Sequence, residues 1–205
     1  MKRWLIFVYG LACYAIAFAT LLYSIGFVGN LWVPKSIDSA REAPLGLALL
    51  IDLVLLAAFA LQHSVMARPA FKRWWTRIIP RSAERSTYIL LASVALGALY
   101  MYWEPIGGVV WSVESSVGQT VLYGLFGLGW ALVFLSSFLI NHFDLFGLRQ
   151  IWLQLRRKPY EPLPFGTPVL YHYVRHPLYL GLLLAFWSTP TMTLTHQIFA
   201  IATTL

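Results

Sequence analysis

From Leu5 to Val33 the chain carries no Asp, Glu, Lys or Arg. A helix crosses the hydrocarbon of a bilayer with about 20 residues, so this run can span with tilt to spare. It does not read as a secretory leader, whose apolar core is shorter and whose cleavage site precedes a mature domain. Three more apolar runs follow instead, at about Pro44 to Leu61, Ser86 to Trp103 and Val117 to Ile140. With 59% hydrophobic and 11% charged residues, against roughly 25% charged in an average soluble domain, the chain holds more apolar surface than one soluble core of this size could hide. In hydrocarbon every backbone N–H and C=O must be satisfied internally, which makes these runs helices. The sequence therefore predicts an all-α polytopic integral membrane protein. It forms one membrane domain over residues 1–205, with about five transmembrane helices. Cys13, the single cysteine, lies inside the first run and reads as a packing residue.

A net charge of +7 invites a nucleic-acid reading, but the placement of the cations favours lipid. Thirteen of the fifteen Lys and Arg lie in three stretches, at Lys2 and Arg3, between Arg68 and Arg85, and between Arg149 and Arg175. The two intervening connections hold only Lys35 and Arg41. That alternation follows the positive-inside rule and predicts a cytoplasmic N-terminus, with membrane lipids as partners and no nucleic acid. Arg68, Lys72, Arg73 and Arg77, beside Trp74 and Trp75, read as an anchor on anionic lipid. Tyr100, Tyr102 and Trp103 close the third span as an interfacial cluster. Gly124, Gly127 and Gly129 in the fourth would permit close helix contact. Asp52, inside the second span, reads equally well as a functional group or as a helix–helix hydrogen bond.

The connection from Asn141 to Pro177 differs from the others. Prolines at 159, 162, 164 and 168 block a long regular helix, and connections of this length are usually functional. Pro177 then opens an apolar stretch that Pro190 interrupts too early for a full crossing. The chain stops at Leu205 within an apolar run. This predicts a last segment that is broken or hairpin-like and apparently truncated.

Topology brings four of the five histidines to one depth, His63, His142, His172 and His176, near the cytoplasmic face. The densest chemistry is Tyr171-His172-Tyr173-Val174-Arg175-His176-Pro177-Leu178-Tyr179-Leu180-Gly181. Arg175 can grip a carboxylate bidentately and His176 can exchange a proton near neutral pH. Pro177 suits the first turn of a helix whose unpaired amides favour an anion. Tyr179 places a ring one turn further on, and Gly181 with Ala185 makes a small-xxx-small contact. A juxtamembrane basic anchor is the plainer account of the same residues.

The run VRHPLYLG, behind a proline-rich loop and ahead of a short hairpin, resembles the RHPxYxG motif of the isoprenylcysteine carboxyl methyltransferase superfamily of membrane enzymes. The four preceding spans, the segment Asn141 to Gln150 and the basic loop are most similar to its bacterial methanethiol S-methyltransferase branch, close to the NnrU-like proteins. The resemblance covers nearly the whole chain. It implies methyl transfer from S-adenosylmethionine at the cytoplasmic face of a bacterial inner membrane. It also implies a cofactor site that includes Arg175, His176, Pro177, Tyr179 and Gly181, and Tyr171 and His172, just ahead of that motif, are read as cofactor-binding candidates with them. Members continue into a Glu-Glu-containing segment that helps complete the site; this chain ends before one, which implies a truncation or a defective relative.

Methyl transfer from a sulfonium is an in-line displacement that needs alignment and exclusion of water, with no metal. A small thiol must lose its proton first, and His176, His142 and Arg175 are the candidate catalytic residues. Tyrosine faces could receive the sulfonium. Two alternatives stay open: a haem-binding or denitrification-accessory protein, with His63 and His142 as axial ligands, or methylation of a prenylcysteine-type or other lipophilic substrate. No oligomeric state follows from the sequence.

Overall fold

The structure is a computed structural model that describes residues 2–40, 43–163, 166 and 169–204. Arg41, Pro164, Pro168 and Leu205, which entered the sequence reading, lie outside them.

Four long helices form the frame: α1 (Lys2–Gly29), α2 (Leu45–Ala67), α4 (Glu84–Tyr102) and α5 (Ser116–Ile140). Between α2 and α4 lie the short α3 (Pro69–Trp75), which Pro69 opens at its first position, and a 3-10 turn (Arg81–Ala83). Beyond α5 come α6 (His142–Leu145), α7 (Leu148–Leu155), α8 (Val169–Tyr173), α9 (Pro177–Trp187) and α10 (Leu194–Thr204). Among the described residues α1, α2 and α5 are long and apolar enough to cross a membrane. The expected span at Ser86 to Trp103 is helical, but α4 opens with Glu84, Arg85 and Ser86 and is less apolar than the other three. Its position accounts for this: α4 packs against both α1 and α2 and buries Ser86, Tyr88, Ile89, Ser93, Leu99 and Tyr100. A helix lined by protein can carry polar groups that a lipid-facing one cannot.

The fold is not wholly helical. β1 (Val109–Ser112) and β2 (Thr191–Thr193) form an antiparallel ribbon, with Val109 opposite Thr193 and Ser112 opposite Thr191. The ribbon sits at the end of the frame away from the basic segments and ties the α4–α5 connection to the turn between α9 and α10. Helix α9 is 11 residues, about 16 Å at 1.5 Å per residue. It ends at Trp187, before Pro190, and α10 packs back beside it, so the last segment is a hairpin of short helices.

Two of the three residues expected at an interface are core. Trp103 is fully buried against Phe27 and Phe199, and Tyr100 is buried with its hydroxyl 2.5 Å from Ser24 Oγ; only Tyr102 is exposed. Asp52 is buried and accepts a 2.8 Å hydrogen bond from the Glu104 backbone N–H just beyond α4. This bond ties α2 to the residue that follows Trp103 at the end of α4. Of Gly124, Gly127 and Gly129 in α5, the first two face open space and only Gly129 meets a neighbouring helix, α9. Cys13 packs with Ala17, Met66, Tyr88 and Ile89.

Candidate functional site

The basic ends of α1, α2, α4, α5 and α9 meet on one side of the frame, and the short helices α3, α6 and α7 pack at that side. Helix α9 is held there by α5. Gly181 and Ala185 pack against Gly129 and Val133, and Pro177 is buried at the first turn. The small residues of the VRHPLYLG run thus dock the helix, while its chemical residues stay accessible. Arg175, His176, His172 and Tyr173 are exposed, Tyr171 is half-buried, and Tyr179 is 67% exposed. His176 caps α9, its carbonyl accepts from Leu180 N–H, and its ring meets Tyr179 edge-on at 5.8 Å. Arg175 makes no hydrogen bond or ion pair among the described residues. Burial pushes the Tyr171 phenol up.

His142 is placed differently from His176. It is buried, stacked on Phe138 at 4.3 Å and bonded through both ring nitrogens, Nε2 to Tyr14 Oη and Nδ1 to Ser137 Oγ, each at 2.9 Å. Ser137 donates its own proton to the Phe134 carbonyl at 2.7 Å, so it accepts from Nδ1–H and leaves Nε2 to accept from Tyr14. Burial holds the pKa of the ring below the usual histidine value. Its ring contacts come from Tyr14, Phe138, Phe143 and Phe146 and not from residues 171–181. His63 bonds through Nδ1 to Tyr88 Oη at 3.0 Å. The four histidines share an end of the molecule but do not converge on one centre.

The sequence reading missed two polar clusters at this end. Asp144 takes Arg149 Nη1 on one oxygen at 3.0 Å and Tyr160 Oη on the other at 3.1 Å. Arg149 also donates to the Glu161 carbonyl and lies over the Tyr160 ring, which fastens the loop after α7 to α6. Burial pushes the Tyr160 phenol up, reinforced by the adjacent Asp144 carboxylate. In the second cluster the Arg85 guanidinium lies 5.0 Å over Tyr88 and its Nε donates to the Leu145 carbonyl at 2.7 Å. An acid followed five residues later by an arginine in a connection already marked as functional was the available signal for the first. The second joins residues 60 apart along the chain, and no local pattern announces it.

A cavity of about 690 Å³ opens between the 3-10 turn, the start of α4 and the α6–α7 segment. Arg175, His176 and Tyr179 do not line it.

No family model matches the chain, and no solved structure matches it. Curated proteins do. The chain is 53% identical over 205 residues to the methanethiol S-methyltransferase of Crocosphaera subtropica, covering all of this chain and 80% of that one. It is 53% identical over 204 residues to the Mycobacterium tuberculosis protein of the same name, covering 84% of it. Nurim of Sus scrofa is 30% identical over 183 residues, 85% of this chain and 68% of that one. At about half identity along its whole length, with the RHPxYxG residues docked on α5 as an intact helix start, the chain belongs to the methanethiol S-methyltransferase family.

Proposed function

We propose that the chain methylates methanethiol to dimethyl sulfide, with S-adenosylmethionine as donor, at the cytoplasmic face of a bacterial inner membrane. The observation that carries this reading is the 53% identity, over the full chain, to proteins named methanethiol S-methyltransferase. In this reading the N-terminus is cytoplasmic, α1, α2, α4 and α5 span, and α9 with α10 forms the fifth, hairpin-like segment; the distribution of Lys and Arg supports it.

Residues 171–181 fit the donor in two respects. Arg175 has no partner among the described residues and can take a carboxylate in its fork. The exposed rings of Tyr173 and Tyr179 offer π-faces to a sulfonium. When bound, the donor supplies a methyl carbon that a thiolate attacks in line, the electron pair of the broken C–S bond remaining on the donor sulfur. Arg175 and the first amides of α9 fix the orientation. His176 takes the thiol proton at a ring nitrogen, since only an edge contact to Tyr179 occupies that ring. His142 stands second, because accepting a proton requires it to give up Tyr14. Pro177 and Gly181 position the helix, and Tyr171 and His172 border it on α8.

The test is an assay of the purified chain with labelled S-adenosylmethionine against a thiol panel. Labelled dimethyl sulfide from methanethiol is expected. Transfer only to a prenylated cysteine, or no transfer together with a Soret band, would overturn the reading.

A further inference from the structure

The cavity at the basic end carries more positive charge than its own acids can balance. Lys72, Arg81, Arg85 and Lys158 line it against Glu84 and Asp144. Both Asp144 oxygens are already engaged, one by Arg149, which lies outside the lining, and one by Tyr160. Glu84 is left against four cations, and none of the four makes an ion pair among the described residues. Arg85 is held in place by its Nε bond to the Leu145 carbonyl and its contact with Tyr88, leaving its terminal N–H groups for a ligand. A methyl-donating sulfonium is a poor occupant of such a field, and a phosphate is a good one, because charge-assisted bonds from converging Lys and Arg favour anions.

The position of the cavity selects the source of that phosphate. Ile140, the last residue of the apolar helix α5, is 47% exposed and lines the wall, so the cavity opens where hydrocarbon would end. On the neighbouring side α3 and the turn after it present Trp74, 51% exposed, and Ile78, 62% exposed, while Phe71 and Trp75 anchor the helix to the core. Exposed apolar groups beside an unbalanced basic cavity accommodate acyl chains and a headgroup at once, which a soluble phosphate would not need.

We propose that this cavity is a binding site for an anionic phospholipid, its phosphate held by Lys72, Arg81, Arg85 and Lys158 and its chains lying along Ile140 and Ile78. The site is separate from residues 171–181 and does not depend on the proposed reaction.

The test measures binding of phosphatidylglycerol, phosphatidylcholine and inorganic phosphate to the full chain in neutral detergent, by native mass spectrometry. Phosphatidylglycerol should bind at least tenfold more tightly than phosphatidylcholine. Removing two charge-assisted contacts in a Lys72→Gln/Arg81→Gln variant should weaken it by roughly tenfold or more. Arg73→Gln/Arg77→Gln removes the same charge from exposed positions outside the cavity and should change affinity less than twofold. If the first variant does not fold, Lys158→Gln, on the exposed loop, serves in its place. Equal losses in the cavity and control variants would mean diffuse attraction and overturn the site. Inorganic phosphate binding as tightly as the lipid would overturn the lipid as occupant. Weakened S-adenosylmethionine binding with unchanged lipid binding in the cavity variant would make the cavity part of the cofactor pocket and overturn the proposal.

Discussion

Gly129 of α5 and Gly181 of α9 face each other so closely that a Cβ on either would stand 2.7 Å from the other's carbonyl oxygen. Backbone meets backbone there, so no rotamer change can relieve an added methyl. Gly181→Ala should therefore destabilise the protein by about 1–3 kcal/mol through overpacking, read as a lowered thermal midpoint in detergent. Gly124→Ala, with nothing within 4 Å, should be neutral or raise stability by up to about 1 kcal/mol, since glycine is the poorer helix former. Equal effects at the two positions would show that the α5–α9 contact is looser than described.

The buried His142 makes stability depend on pH. Its folded pKa lies below the unfolded value of about 6.5, so the unfolded chain binds a proton first as pH falls. Stability should decline as pH drops from about 6.5 towards the folded pKa and be flat above that window. Thermal melts between pH 5 and 8 check this. His142→Gln should lower the midpoint throughout and remove part of the slope; an unchanged slope would assign it to other groups.

At the opposite end Asp38 accepts from Asn30 Nδ2 at 2.8 Å and from Thr193 Oγ1, and lies 3.5 Å from His196 Nδ1. Burial alone would raise its pKa, but these partners, His196 foremost, hold the carboxyl below the usual range. A depressed carboxylate pKa contributes stability that is present above about 3.9 and lost as pH falls through the folded value. Asp38→Asn should cost about 1–3 kcal/mol at pH 7 and flatten the acid limb of the melting profile. A wild-type acid limb in that variant would exclude Asp38 as its source.

Within the proposed site, Arg175→Lys keeps the charge and loses the fork. S-adenosylmethionine affinity should fall by about 1.5–3 kcal/mol in calorimetry, and an unchanged affinity removes Arg175 from the site. His176→Ala should reduce turnover on methanethiol much more than cofactor affinity. Equal losses of both would make His176 a cofactor ligand, and a pH–rate profile whose shape the substitution leaves unchanged would exclude His176 as the base.

Orientation is checked by labelling single cysteines at Ser115 and Arg157 in a Cys13→Ser background. Position 157 should react from the cytoplasm and position 115 only from outside. Cytoplasmic labelling at 115 would invert the topology.

What the sequence by itself determined follows from properties that act locally or through solvent. The charge-free run at Leu5 to Val33 and Pro177 at a helix start depend only on transfer to lipid and on backbone geometry, and each reappears in the structure, one as a helix and the other as a helix start. The RHPxYxG residues were legible for the same reason, as a short contiguous motif. Only the tertiary structure decided which side of each helix meets protein. Trp103 looked like an interfacial anchor and is core because Phe27 and Phe199 enclose it. Among Gly124, Gly127 and Gly129, only the position of α9 selects Gly129. His142 faces Tyr14, 128 residues away, rather than the histidines nearer to it in sequence. The ribbon pairing Val109 with Thr193 and the meeting of Asp38 with His196 rest on contacts between segments far apart in the chain. Hydrophobic periodicity places a residue on a helix face; the partner across that face is set by the packing of the whole bundle, which no single stretch of sequence contains.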